Sequence, residues 1–362
     1  MARLSLKLLH YINSPLHQCQ KFVHKIQLFL GPLLMSQKIN ILKFAGKDGS
    51  YKRLPSQFRD FISSDPGARF PPEANRYYLY VSYACPWAHR TLITRELKGL
   101  SLMISVSVVH WHMDDKGWRF PTQEELDETK ATETDVGTKD DLYGFERIKQ
   151  LYYKANPEYS GRFTVPVLWD KKLETIVNNE SSEILRMFNT EFNSLVDPGH
   201  AEIDLYPGPL QSRIDEINSW VYDNINNGVY KAGFATDQGV YEKEVLNVFK
   251  HLDKLEEILK ENAAEGGKFL IGNQLTEADV RLFPTLIRFD AVYHQHFKTN
   301  IRMIRHDYPY LHDWLRLLYW KIPGFKATTN FEHIKKHYTK SHININPHHI
   351  TPLGPIPNIM SL

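Results

Sequence analysis

The alternation of apolar and polar positions from residue 77 onward predicts a short series of strands and helices. Tyr77–Tyr83 (YYLYVSY) is aromatic and β-branched, the composition of a buried strand. It ends at Ala84-Cys85-Pro86. Trp87–Lys98 follows with Ala88, Leu92 and Arg95 in helical register, and Pro86 suits a first helical turn, where its missing N–H costs nothing. Ile104–His110 alternates again and reads as a second strand, so strand, helix and strand form a βαβ unit. From Asp114 to Pro157 the chain is charged and turn-rich. This reads as a long insertion, largely loop, ending in a helix near Tyr143–Ala155. Val165–Trp169 is a strand with an early proline. A turn at Asp170–Lys172 and Ile176-Val177 make it a hairpin, and residues 178–182 open a helix that runs to about Phe192.

That order predicts an α/β thioredoxin-like N-terminal domain, a small mixed sheet with an antiparallel hairpin on one edge. Beyond Asp197 the pattern is helical almost throughout: Ile214, Ile217, Trp220, Val221 and Ile225; Val245, Val248, Phe249, Leu252, Leu255, Ile258 and Leu259; then Thr276–Ile287 and Leu311–Leu318. An all-α C-terminal domain follows from it. The expected organisation is an extension over 1–44, the sheet domain over 45–196 with its insertion near 114–157, the helical domain over 197–340, and an extended tail over 341–362.

Composition narrows the class. The chain has 362 residues, 42% hydrophobic and 24% charged, with a net charge of +2, a globular mix without the basic excess of a nucleic-acid binder. No apolar run reaches the roughly 20 residues that a membrane-spanning helix needs. The start is different in kind. Asp48 is the first acidic residue, whereas Arg3, Lys7, Lys21, Lys25, Lys38, Lys43 and Lys47 precede it among apolar residues at roughly helical spacing. Such a segment resembles a mitochondrial presequence. The alternative is a start at Met35 and a cytoplasmic protein. Met360-Ser361-Leu362 lacks the basic middle residue of a peroxisomal address.

The two cysteines, Cys19 and Cys85, rule out a disulfide scaffold and a cysteine-built zinc site, and the 17 histidines show no metal-binding spacing. Cys85 stands where a strand gives way to a helix. The amides and dipole of the helix start favour an anion there, with His89 and Arg90 one turn further in to add positive potential, so the thiolate is favoured as a nucleophile. The motif reads Cys85-Pro86-Trp87-Ala88. Ala88 replaces the second cysteine of a dithiol, so the expected chemistry is monothiol: a mixed disulfide with a small thiol, resolved by a second small thiol. Glutathione is the obvious candidate. Val165-Pro166 is a pair that is often cis opposite a reactive cysteine, turning the Val165 backbone toward a bound peptide. Glu180 suits an ammonium, and Ser181 with the amides of the helix it opens suits a carboxylate; Ser181 as a simple helix cap, with Asn178 or Asn179 in support, is the plainer reading. Thr276-x-x-Asp279 is a capping box, with a role in folding rather than chemistry.

Tyr80–Leu97 (YVSYACPWAHRTLITREL), His110-Trp111-His112, Gly117-Trp118-Arg119-Phe120, Phe163–Asp170 (FTVPVLWD), Val177–Ile184 (VNNESSEI), Asn227–Ala235 (NGVYKAGFA), Arg288-Phe289-Asp290 and His333–Pro347 (HIKKHYTKSHININP) together resemble the xi class of glutathione transferases, of the fungal type. These are the glutathionyl-hydroquinone reductases, relatives of the omega class. The resemblance covers about residue 45 to the end. It implies the glutathione transferase fold, with Cys85 as nucleophile, Trp118, Arg162, Val165, Glu180 and Ser181 binding glutathione, and Tyr230, Tyr293 and Tyr338 lining an aromatic-substrate pocket. It further implies glutathione as co-substrate, small glutathione conjugates as ligands, a homodimer and no metal. The segment from Trp118 to Tyr143 is shorter than in some fungal members, which bears on the mouth of the pocket. Two rivals remain: an omega-like thioltransferase or dehydroascorbate reductase using the same cysteine, and a non-enzymatic binding module.

Overall fold

The computed structural model describes residues 48–51, 55–128 and 136–362. The basic extension, with Cys19 and Met35, lies outside the described residues.

Four strands form one mixed sheet in the order β2-β1-β3-β4. β1 is Tyr77–Val81, β2 Ser105–Val108, β3 Val167–Asp170 and β4 Thr175–Asn178. β1 pairs parallel with β2, Val81 opposite Val108, and antiparallel with β3, Tyr80 opposite Val167. β3 and β4 form the expected edge hairpin. All five residues of β1 are buried, because it is central and covered on both faces. β3 begins at Val167 rather than Val165, since Pro166 has no N–H to give to the ladder.

Helix α1 (Pro86–Leu97) crosses from β1 to β2 and packs against both α4 (Ser181–Thr190) and α8 (Glu277–Arg288). Enclosed on so many sides, its polar residues turn inward: Thr91 Oγ1 donates to the Ala88 carbonyl and Thr94 Oγ1 to that of Arg90.

The insertion is more ordered than its composition suggests. It carries α2 (Gln123–Glu128) and α3 (Ile148–Ala155). Thr122 opens α2 through a reciprocal box with Glu125, and Glu125 also receives both guanidinium arms of Arg119. Those bonds hold its carboxyl down at about 2. Arg147 makes the same fork onto Asp114. The helix expected from Tyr143 starts only at Ile148. The buried carboxylate of Asp140 accepts from the Leu142 and Phe145 amides and from the Tyr80 hydroxyl, which fixes residues 140–145 as a turn.

The helical part contains α5 (Gln211–Val221), running on as a π-helical turn to Asn226, then α6 (Gly228–Gly233) and α7 (Gln238–Ala264). It continues with α8, which ends in a second π-helical turn at Phe289–Tyr293, and with α9 (Pro309–Lys321) and α10 (Phe331–Ser341). One apolar core surrounds the sheet and a second fills this helical part. No helix among the described residues is long and apolar enough to cross a membrane.

Thr276 and Asp279 form the expected box at the start of α8. Asp279 Oδ2 accepts from the Thr276 amide and hydroxyl, and its Oδ1 accepts from the Leu270 amide and Trp314 Nε1. One buried carboxylate thus ties α8 to the segment before it and to α9.

Candidate active site

Cys85 is the N-cap of α1. Its amide donates to the Ser82 carbonyl, closing a turn at the end of β1, and its Sγ–H donates to the Val165 carbonyl at 3.5 Å. The Val165–Pro166 peptide is cis. The thiol is buried and faces the backbone segment that the sequence assigned to peptide binding.

The charges around it differ from expectation. His89 supplies no positive potential. It is fully buried, and desolvation, then the neighbouring Arg288 charge, push its pKa well below the usual histidine value. Arg288 can only donate, so His89 Nδ1 accepts from it at 3.0 Å, and His89 Nε2–H donates to Thr328 Oγ1 at 2.9 Å. Arg90 does remain a cation near the helix start. Its guanidinium stacks on Trp87 at 4.6 Å and donates to Asn226 Oδ1, the Arg281 carbonyl and Ser181 Oγ.

At α4 the cap is Glu180, not Ser181. Glu180 Oε1 accepts from the Ser182 amide, its Oε2 accepts from Ser56 Oγ, and its own amide donates to Asn178 Oδ1. Ser181 Oγ instead lies between Glu180 Oε1 and Arg90 Nη1, so a carboxylate set at this helix start would meet a hydroxyl, backbone amides and a guanidinium. Arg162 is half-buried on the loop before Val165, with its carbonyl accepting from the Tyr159 hydroxyl. The Trp118 indole stacks at 4.8 Å on the His337 ring, the neighbour of Tyr338 on α10. His337 Nδ1–H donates to the Trp111 carbonyl, and burial holds this ring neutral, with a pKa of about 4.

Tyr230, Tyr293 and Tyr338 come from α6, the second π-helical turn and α10, and meet at their hydroxyls. Tyr338 Oη is 2.5 Å from Tyr230 Oη and 2.9 Å from Tyr293 Oη. Burial, above all else, raises the pKa of each, so all three keep their protons. Tyr293 is also hydrogen-bonded to Tyr230, so the three hydroxyls form one mutually bonded cluster of protonated phenols. The Cys85 charge acts on Tyr230 and on Tyr293, so this cluster sits within electrostatic reach of the sulfur. Gly233 makes the arrangement feasible: a Cβ there would stand 2.1 Å from the Phe297 ring, which stacks on Tyr293.

The match to known proteins follows this geometry. Residues 84–191 fit the family model for the N-terminal domain of glutathione S-transferase, and residues 238–317 fit that for its C-terminal domain. The omega-like 2 glutathione S-transferase of Schizosaccharomyces pombe is 54% identical over 321 residues, which is 88% of this chain and 98% of the relative. The chain belongs to the Xi class of glutathione transferases. The glutathionyl-hydroquinone reductase YqjG of Escherichia coli is 51% identical, with 85% of this chain and 89% of the relative covered. The crystal structure of the Xi glutathione transferase of Saccharomyces cerevisiae in complex with glutathione superposes with a TM-score of 0.82 at 50% identity, covering 86% of this chain and 99% of that one. The class match and the sequence reading thus agree on an enzyme fold that binds glutathione. Among the described residues no cluster of side chains is suited to a metal ion.

The structure also brings together residues that sequence reasoning did not single out. Tyr51 lies against Phe234 and Tyr230, with ring centroids 5.9 and 6.1 Å away, and Trp87 packs on the other side of Tyr230. Phe297 closes the inner wall beside Tyr230, Tyr293 and Tyr338. Nothing in the local sequence marks these positions, because distant segments bring them together.

Proposed function

We propose that this Xi-class enzyme removes glutathione from glutathionyl-hydroquinones by a monothiol cycle. The Cys85 thiolate attacks the glutathionyl sulfur, the bond from that sulfur to the aromatic ring breaks, and its electron pair passes to the ring carbon. That carbon takes a proton, and Cys85 is left in a mixed disulfide with glutathione. A second glutathione thiolate attacks the mixed disulfide, releasing oxidised glutathione and restoring Cys85. The ring is thus reduced by two electrons, one from the conjugate's own sulfur and one from the second glutathione, and the two sulfurs leave as the disulfide.

The observation that carries this reading is the convergence of three buried, protonated phenols within electrostatic reach of Cys85. A buried O–H donor at that place stabilises negative charge developing on a hydroquinone oxygen or ring. A small disulfide leaving as a thiolate has no need of it. Glutathione itself would lie between Trp118 and α4, with its γ-glutamyl carboxylate and ammonium toward Ser181 and Glu180, Arg162 at its other end, and its backbone along Val165. We carry the expected homodimer into this proposal, with light scattering as its check. Delivery to mitochondria by the basic extension belongs to it too, with imaging of the tagged full-length chain as the check.

Intact mass after incubation with glutathionyl-menadiol tests the cycle. The expected result is a gain of one glutathione, reversed by free glutathione and absent in Cys85→Ser. An adduct from oxidised glutathione but none from the hydroquinone conjugate would favour the omega-like thioltransferase. No adduct from either would leave the binding-module reading. Tyr230→Phe separates the first two by rate: turnover of the conjugate falls by about 10-fold or more while turnover of a small mixed disulfide is retained.

A further inference from the structure

Arg288 is buried at the end of α8, between the helical part and the turn that carries Cys85. Nε–H donates to the Ala84 carbonyl at 3.1 Å and Nη2 to the Tyr83 carbonyl at 2.9 Å; Nη1 donates to the Pro284 carbonyl and to His89 Nδ1. All four acceptors are neutral. No carboxylate forms an ion pair with Arg288 among the described residues, whereas Arg76, buried beside the sheet, pairs with Asp170. An arginine keeps its charge inside a protein, and burying that charge without an acid is costly. Hydrogen bonds to carbonyls offset part of this cost and leave the field of the cation unbalanced. That field reaches the site, since it acts on Tyr293, Tyr338 and His337 as well as on His89.

We infer that Arg288 is a positioning residue for the reaction: it clamps the two carbonyls that precede Cys85, and its uncompensated charge favours the thiolate over the thiol. This rests on the reading of Cys85 as nucleophile. The two carbonyls belong to the turn whose next amide is that of Cys85, so the clamp fixes the position of the sulfur, and the field of the cation opposes the bond that the thiol donates to the Val165 carbonyl. Other ionisable groups lie on the elements around the Cys85 turn. On α1 these are His89, held neutral, and Arg90, which is bonded to Asn226 and Ser181. At the start of α4 there is the Glu180 carboxylate, of opposite effect. From α6 and the π-helical turn come Tyr230 and Tyr293, and from α10 His333, His337 and Tyr338; burial keeps the tyrosines protonated and His337 neutral. Arg288 is the cation that holds the Cys85 turn directly.

The test is the pH dependence of Cys85 alkylation by iodoacetamide, followed by intact mass on the full chain with Cys85→Ser as blank. Wild type is expected to show a midpoint below the ordinary thiol value of about 8.5, unmoved between about 0.05 and 0.5 M salt because a buried cation is poorly screened. In Arg288→Met the midpoint rises by about one pH unit or more, the range for loss of a nearby opposite charge. Arg288→Lys keeps the midpoint within about half a unit while losing melting temperature, because an ammonium cannot span both carbonyls. Should Arg288→Met not fold, Arg288→Gln carries the same expectation, since an amide can still donate to a carbonyl. A folded Met or Gln variant with an unchanged midpoint overturns the inference, and so does a wild-type midpoint at 8.5 or one that climbs with salt. Loss of reductase turnover in Cys85→Ser is read separately, so an unmoved midpoint removes Arg288 from the mechanism without touching the role of Cys85.

Discussion

Acidification from pH 7.5 to 5.5 should unfold this protein or bring it close to unfolding, because five buried histidines are neutral in the fold. His89, His110, His296, His337 and His342 are each at most 6% exposed. Burial depresses all five: His110 and His296 to about 3, His337 to about 4, and His89 and His342 well below the usual value. Hydrogen bonding adds to burial at several of these rings. His89 accepts from Arg288, His110 Nδ1 accepts from the His112 amide, and His296 Nε2 and His342 Nδ1 share one hydrogen bond that a proton on both would convert into two opposed donors. The sign follows from their lowered values. Between pH 6.5 and about 4 the unfolded chain binds more protons than the folded one, so stability falls as pH falls. At pH 5.5 an unfolded histidine of pKa ~6.5 gains about 1.4 kcal/mol from protonation that the folded ring does not. This gain is insensitive to how far below 5.5 the folded value lies. The five together reach up to about 7 kcal/mol, against a typical total stability of about 5–15 kcal/mol. Asp279, whose carboxyl burial pushes up, acts in the opposite sense and cancels at most about two of the five. Urea unfolding followed by tryptophan fluorescence at pH 7.5, 6.5 and 5.5 measures the effect, and His89→Gln should reduce the net proton uptake by about one. A stability at pH 5.5 within about 1.4 kcal/mol of that at pH 7.5, meaning less than one net proton, would refute the reasoning.

Three further outcomes are expected. Asp279→Ala leaves the buried Thr276 and Leu270 amides and Trp314 Nε1 without their acceptor, so urea unfolding should show a loss of about 3–5 kcal/mol, with the turnover of the folded enzyme unchanged; a loss under about 1 kcal/mol would contradict a buried carboxylate that accepts all three bonds. Gly233→Ala drives a methyl into Phe297 and should cost about 1–3 kcal/mol. Because Phe297 packs on all three tyrosines, KM for the aromatic conjugate should rise while alkylation of Cys85 is unaffected. Tyr51→Ala removes an outer wall of the pocket and should weaken kcat/KM for bulky hydroquinone conjugates about 10-fold, yet spare a small mixed disulfide, a contrast that steady-state kinetics with both substrates reads directly.

The sequence alone carried the order of strands and helices in the sheet part, the position of Cys85 at a strand–helix junction, the lack of a second cysteine at Ala88, and the capping box at Thr276 and Asp279. These are local properties. Period-2 and period-3.6 patterns, a proline at a first helical turn and a hydroxyl three residues before an acid are each set by bonds within a few residues. The helix at Gln123–Glu128 was legible in the same way through Thr122 and Glu125, although the surrounding charges obscured it. What the tertiary structure decided is everything that depends on which distant groups share a low-dielectric space. His89 reads as a cation from its place on the helix, and burial beside Arg288 makes it neutral. Ser181 reads as the cap, whereas the longer Glu180 side chain reaches the Ser182 amide and leaves Ser181 to Arg90. The tyrosine trio spans more than 100 residues, and its mutually bonded hydroxyls exist only because three desolvated side chains converge. Desolvation and convergence belong to the packed chain, so no window of sequence contains them.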